Sequence, residues 1–505
     1  MATNIDINME IVIGLVAPVG TNLDLVETCL SECLREYSCA MEIIRLSQFL
    51  AVLKRDGVPI DLKTTGNEGE RINSFMSAGN FICEKAKRKD IFALHAISSI
   101  IDRRPKDSAN GNVLPDTRVA YILRSLKRPE EIATLRKVYG SAFFLIGFYC
   151  NENNQLEYLV NNKKVPKADA KELIKRDAEE AVPFGQKTRN TFSLSDLFIR
   201  DHTNDTDKIK KELFRFLDII FGYPYFTPTK DEFGMYQAYS AALRSGSLAR
   251  QVGASILSSR GDLIAVGTND VPSPRGGLYW PDDEDDQRDW QQNTDSNDRE
   301  RREIIDDVTK IIKKEIPLDI SPYMEKLRSI LDRSRIRNVT EYGRSVHAEM
   351  EAILSCARNG ISPVGSTVYA TLFCCHNCTK HLIASGIKRV VYTEPYTKSF
   401  AEKLHGDAIV IADGKKEFEK ENSGKIVFEA FVGIGARRFF DLFAIDWSSG
   451  YNVVRKTGEG NVITWQRKDA PLRIPNGILF YQEVEFAVNR DLISVVQNLQ
   501  NEGGK

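Results

Sequence analysis

The sequence predicts an α/β protein made of two domains. Three observations predict it. The first half alternates strand and helix patterns, as the repeated units of a parallel sheet do. A second series of strands and helices begins near Asp231. The chain has 505 residues, 42% of them hydrophobic, which is enough for more than one large core.

The elements follow in order. Met9–Ala17 is rich in Ile and Val and reads as a buried strand. Leu23, Val26, Leu30 and Leu34 recur at helical spacing over Leu23–Tyr37, with Asn22 placed to cap that helix. Ile43–Arg45 is a short strand, and a long helix is expected around Glu70–Arg88. Val119–Leu123 and Ala142–Phe148 read as strands flanking a helix over Pro129–Tyr139. Pro129 suits the first turn of that helix and Glu130 and Glu131 its positive end. From Val182 to Thr229 no clear period emerges, and the polar run Asp201–Asp207 reads as a connection. We therefore expect a first domain over 1–205, a connection over 206–228 and a second domain over 229–505.

In the second domain Met235–Arg244 looks helical, and Val252–Ser258 with Leu263–Gly267 form a strand pair. An insertion is expected at about 279–330. Its acidic stretch Trp280–Glu303 is too polar for a core and reads as a surface loop, followed by a largely helical Ile304–Leu331. His347–Asn359 is a helix, Thr367–Thr371 a strand, Cys375–Ser385 a helix and Val390–Tyr392 a strand. Phe428, Phe431, Phe439, Phe440 and Phe443 read as core or subunit interface.

Charge restricts the function. Lys and Arg number 69 against 70 Asp and Glu, so no basic footprint for bulk nucleic-acid binding exists. No stretch approaches the roughly 20 apolar residues that span a bilayer. The opening residues lack the basic and small-residue signals of a secretory leader. Nine cysteines are spread thinly, and only Cys374, Cys375 and Cys378 cluster. We expect a cytoplasmic protein with reduced thiols and no membrane partner.

The chemistry concentrates at His347-Ala348-Glu349 and Cys375-His376-Asn377-Cys378. One imidazole and two thiolates supply three tetrahedral ligands for Zn²⁺, and a catalytic site keeps the fourth position open. The spacing of Cys375 and Cys378 puts both thiolates at one helix start, where free N–H groups stabilise them. Glu349 is too close in sequence to His347 for a comfortable fourth ligand. It is placed instead as proton shuttle. H-x-E followed by P-C-x-x-C is the signature of zinc-dependent nucleobase deaminases. Here Cys374 stands where that signature has Pro, a tolerable loss at a helix start. In such enzymes zinc makes water nucleophilic near neutral pH, and the Glu carries protons to the ring nitrogen and to the departing ammonia.

The resemblance extends further. AALRSGSLARQVGASILSSRGDLIAVGTNDVP (241–272) and GIKRVVYTEPY (386–396) resemble the deoxycytidylate deaminases. That implies a cytidine-deaminase-like α/β/α domain in which Asn269 contacts the substrate, with Arg275 a weaker phosphate contact. It also implies a homo-oligomer. GLVAPVGTN (14–22) falls between a strand and a helix, as a phosphate-binding loop does. It lacks the lysine of the P-loop signature, and Thr21 and Asn22 stand in the last two positions. Gly14, Gly20, Thr21 and Asn22 are the candidate nucleotide-binding residues of a degenerate P-loop, kinase-like parallel-sheet domain. Val119–Gly140 is similar to a late segment of nucleotide kinases, with Arg124, Lys127 and Arg176 as phosphate candidates.

Such a domain fused to a deaminase resembles the bacterial anti-phage deoxycytidine nucleotide deaminases. The resemblance implies conversion of dCTP and dCMP to dUTP and dUMP, a second nucleotide at the N-terminal domain and control by a small RNA. Two other readings compete. A deaminase of RNA or single-stranded DNA would need a basic, aromatic-lined groove, which the neutral charge and acidic insertion disfavour. A non-catalytic nucleotide- or RNA-sensing module with a structural zinc would not need Glu349.

Overall fold

The computed structural model describes residues 9–104, 118–180, 182–200, 205–316, 319, 321–334, 336, 342–395, 399–412, 424–446, 452–474 and 479–503. The chain divides into two units, Met1–Glu232 with Val432–Lys505, and Phe233–Phe431.

The first unit is built on β1 (Met9–Val16), β2 (Ala40–Arg45), β3 (Arg118–Arg124), β4 (Phe143–Tyr149) and β5 (Leu197–Arg200). They run parallel in the order β5-β4-β1-β3-β2. Every residue of β1 after Met9 is buried, as a central parallel strand covered on both faces must be. The helix Leu23–Arg35 follows, and Asn22 Oδ1 accepts the Leu25 N–H at 3.3 Å to cap it.

The second unit carries β6 (Gly253–Leu257), β7 (Leu263–Thr268), β8 (Thr367–Leu372), β9 (Arg389–Glu394), β10 (Ile409–Ile411) and β11 (Ile426–Ala430). The sheet order is β10-β11-β9-β8-β6-β7. β6 is antiparallel to β7 and β8, while β8, β9, β11 and β10 are parallel. The helix Ala348–Arg358 lies against β7 so closely that a Cβ on Gly267 would strike Ala348 O and Ala352 N.

Two expected boundaries are corrected. Residues 206–228 are not a bare connection: Thr206–Ile220 is a helix. Its Ile209, Leu213, Phe216 and Leu217 enter the same core as Ile11, Ile13 and Leu15 of β1. That face has helical spacing, but the polar run before it hid the start. The second domain also does not extend to 505. The strand β12 (Gly433–Ile434) pairs antiparallel with β5, and Ile434, Leu442 and Leu472 complete the first core. The helix Leu479–Gly503 packs on Ile91–Arg103. There the buried Arg104 guanidinium forks between Glu10 and Glu485 at 2.7–2.9 Å.

The acidic insertion is also more ordered than expected. The helix Ser296–Glu315 begins inside it. Arg288, Asp289 and Ser296 are buried, because Asp286 grips Arg288 from both oxygens and Asp289 accepts from Ser296 and Arg344. A second insertion helix spans Met324–Asp332. Phe428, Phe431 and Phe439 are buried, whereas Phe440 is exposed. The nine cysteines, all within the described residues, form no disulfide. Among the described residues no helix is long and apolar enough to cross a membrane.

Candidate metal centre and active site

Two helix starts meet at the site. His347 is the N-cap of Ala348–Arg358, and Cys375 is the N-cap of His376–Ala384, just past β8. The Val346 N–H donates to Asp270 O at 2.9 Å, which ties the residue before His347 to the chain just after β7. His347 Nδ1 lies 3.3 Å from the Sγ of Cys375 and 3.3 Å from that of Cys378. The Cys378 N–H points at Cys375 Sγ at 3.4 Å. The positive ends of both helices thus face the sulfurs and favour negative charge there.

The ligand atoms of His347, Cys375 and Cys378 all lie within 4.8 Å of one another, with Cys378 fully buried. Zn–S and Zn–N bonds in a tetrahedron put N and S roughly 3.5 Å apart, so this donor set fits zinc. Its chemistry agrees, with one borderline nitrogen and two thiols. The Cys375 thiol is held down at about 4 by its hydrogen bond with Cys378, and His347 adds to this. His347 is raised to about 9 by its hydrogen bond with Cys375. The cluster therefore already separates charge, and a divalent cation would replace its protons.

Glu349 sits in the first turn of its helix and is 4% exposed. Its Oε2 accepts from Cys378 Sγ at 3.3 Å. Burial raises its carboxyl above the usual range, and the charge of Cys375 adds to the effect. A carboxyl held toward its protonated form in this way is placed to exchange a proton with a group beside it. Cys374 is not one of the clustered donors; it is fully buried, and burial together with the nearby Glu349 pushes its thiol up. His376 is not part of the cluster either; its ring faces Phe400.

Asn269 stands one residue from the Asp270–Val346 bridge. Its side chain accepts the Val252 N–H at 2.7 Å and donates to Arg250 O at 2.9 Å, shaping that loop. Asp270, which the sequence reading passed over, is buried and accepts the Gly246 N–H at 2.9 Å. Arg275 is exposed.

The first unit holds a separate cavity of about 280 Å³ at the carboxyl ends of β1 and β3. Gly20, Thr21 and Lys127 line it, and Arg124 stands at its edge. Arg176 is elsewhere, on Asn73, Ser77 and Glu180. Gly14 is corrected. It is in register with Leu123 and Leu145 inside the sheet, and a Cβ there would meet Leu126 at 2.5 Å and Phe143 at 3.0 Å. Packing explains that glycine, and its amide does not face the cavity loop. Gly20 has φ +93°, and a Cβ would meet Gln155 O at 2.7 Å, so the turn itself requires glycine. Asn22 is committed to its helix cap.

Residues 228–394 match the family described as "Cytidine and deoxycytidylate deaminase zinc-binding region". Deoxycytidylate deaminase of Enterobacteria phage T4 is 43% identical over 86 residues, 17% of this chain and 43% of that protein. ComE operon protein 2 of Bacillus subtilis (strain 168) is 41% identical over 71 residues, 14% of this chain and 38% of that protein. The mouse deoxycytidylate deaminase is 22% identical over 221 residues, 43% of this chain and 85% of its own length. The chain thus spans less than half the length of the first two of these relatives. The cofactor that this region and the His347, Cys375 and Cys378 cluster imply is Zn²⁺. Taken with the geometry, the match makes the second unit a deoxycytidylate-deaminase-like domain with a zinc-binding centre.

Proposed function

We propose that the protein hydrolytically deaminates free deoxycytidine nucleotides, dCMP and dCTP, to their deoxyuridine counterparts. The observation that carries the reading is Glu349, buried beside three metal donors and 3.3 Å from one of them. A structural zinc site has no use for such a carboxylate. His347, Cys375 and Cys378 would hold the metal. Zinc, when bound, supplies the Lewis acidity that makes water nucleophilic near neutral pH. Glu349 would take the proton of the attacking water, pass it to the ring nitrogen and protonate the departing ammonia. Asn269 would contact the substrate from the loop that its side chain orders.

The similarity to deoxycytidylate deaminases supports a mononucleotide substrate. Resemblance of the whole chain supports the finer reading: dCTP depletion as anti-phage defence, a homo-oligomer, a second nucleotide at the N-terminal unit and control by a small RNA. Purified protein should be assayed on dCMP, dCTP, CTP and a cytosine-containing oligonucleotide, with and without Glu349→Ala. Turnover of dCMP or dCTP that vanishes in the variant is expected. Turnover confined to the oligonucleotide would overturn the substrate reading, and an active variant the role of Glu349. Plaque counts on cells making either form test the defence role.

A further inference from the structure

The loop after β1 carries an anion of its own. The Val19 N–H donates to Asp177 Oδ2 at 2.9 Å, and Lys127 Nζ pairs with Asp177 Oδ1 at 2.8 Å while also holding Ala17 O at 2.8 Å. Asp177 is 1% exposed and reaches this point from the helix Lys167–Ala178, 158 residues away in sequence. An N–H at a strand–loop–helix turn together with a lysine is the seat that a phosphate occupies in loops of this kind. Here a carboxylate fills it.

The cavity beside the seat has unspent polar capacity. Thr21 Oγ1 and Gln186 Oε1 are buried and have no hydrogen-bond partner among the described residues. Thr21 is 9% and Gln186 8% exposed, and both line the cavity. A buried unpaired hydroxyl has lost its water without a replacement, and a ligand can supply the missing bond. Cavities at the carboxyl ends of parallel strands are where such sheets bind ligands. Phe75, Phe92 and Tyr158 give it an aromatic wall.

We propose that Asp177 is an internal phosphate mimic that gates this cavity. A phosphate-bearing ligand binds by displacing the carboxylate from Val19 and Lys127, and Thr21 completes its coordination. The proposal rests on the reading of the first unit as phosphate-binding, and deepens it by naming the group that keeps the seat closed.

The test is calorimetric titration of the full chain with inorganic phosphate and with ATP, at equal zinc content. Asp177→Asn keeps an acceptor for Val19 and removes the charge. It should tighten binding by about ten-fold or more, and adding Lys127→Gln should abolish the gain. Thr21→Val replaces an unpaired hydroxyl with a methyl, so it should leave the melting temperature intact and weaken binding about three-fold or more. ATP binding tighter than phosphate assigns an organic phosphate, and equal binding assigns the free anion; both keep the seat. Equal affinity of wild type and Asp177→Asn overturns the gate while leaving a phosphate site. No binding to any variant overturns both. Should Asp177→Asn unfold, unchanged binding in Thr21→Val overturns the proposal.

Discussion

Glu349 Oε2 and Cys378 Sγ lie 3.3 Å apart, so the proposed proton carrier and a candidate metal donor share one buried pocket. The two belong to helices that start at His347 and Cys375, and the site forms where those starts meet. Glu349→Gln keeps the shape and removes the proposed proton carrier. It should lower kcat on dCMP by about 10²–10⁴-fold. Zinc content, measured by mass spectrometry, should stay that of the wild type.

Loss of a donor acts differently. Cys378→Ser or His347→Ala leaves two of the three ligands, so bound zinc and activity should fall together. Chelation of the wild type should lower its melting temperature, and added Zn²⁺ should restore both melting temperature and turnover.

Gly267 tests the packing under the site. A side chain there strikes Ala348 and Ala352 of the helix that bears Glu349. Gly267→Ala should destabilise the second unit by about 1–3 kcal/mol. It should also cut turnover more than a surface substitution such as Arg260→Ala. Thermal denaturation and kcat measured on the same samples check it.

Arg104 tests the first unit. Its guanidinium is buried between Glu10 and Glu485, and Tyr481 also donates to Glu10 at 2.8 Å. Arg104→Met leaves two carboxylates buried without their cation and should cost about 3–5 kcal/mol. Equilibrium unfolding in urea reads this directly. Combining it with Glu10→Gln and Glu485→Gln should recover part of the loss.

His95 sets a pH dependence. It stacks on Phe49 with ring centroids 4.3 Å apart, and burial lowers it to about 4. The fold therefore favours the neutral ring. Its contribution is complete above about pH 6.5 and is lost as the pH falls toward 4, a loss of up to about 3 kcal/mol. His95→Leu should flatten the melting temperature of the first unit over that range.

Much of this protein was legible in its sequence. His347, Glu349, Cys375 and Cys378 stand out because each pair lies within one helical turn, and local spacing alone sets their geometry. β1, its Asn22-capped helix and the β6–β7 pair were likewise written in short-range periodicity. Tertiary structure decided what depends on distant partners. The return of 432–505 to the first unit rests on β12 meeting β5 and on Arg104 reaching Glu485, 381 residues away. Gly14 proved a packing glycine because Leu126 and Phe143 crowd it. Asp177 found Val19 through folding alone. Spacing within a turn fixes which donors can gather, but only packing across the chain fixes what faces them.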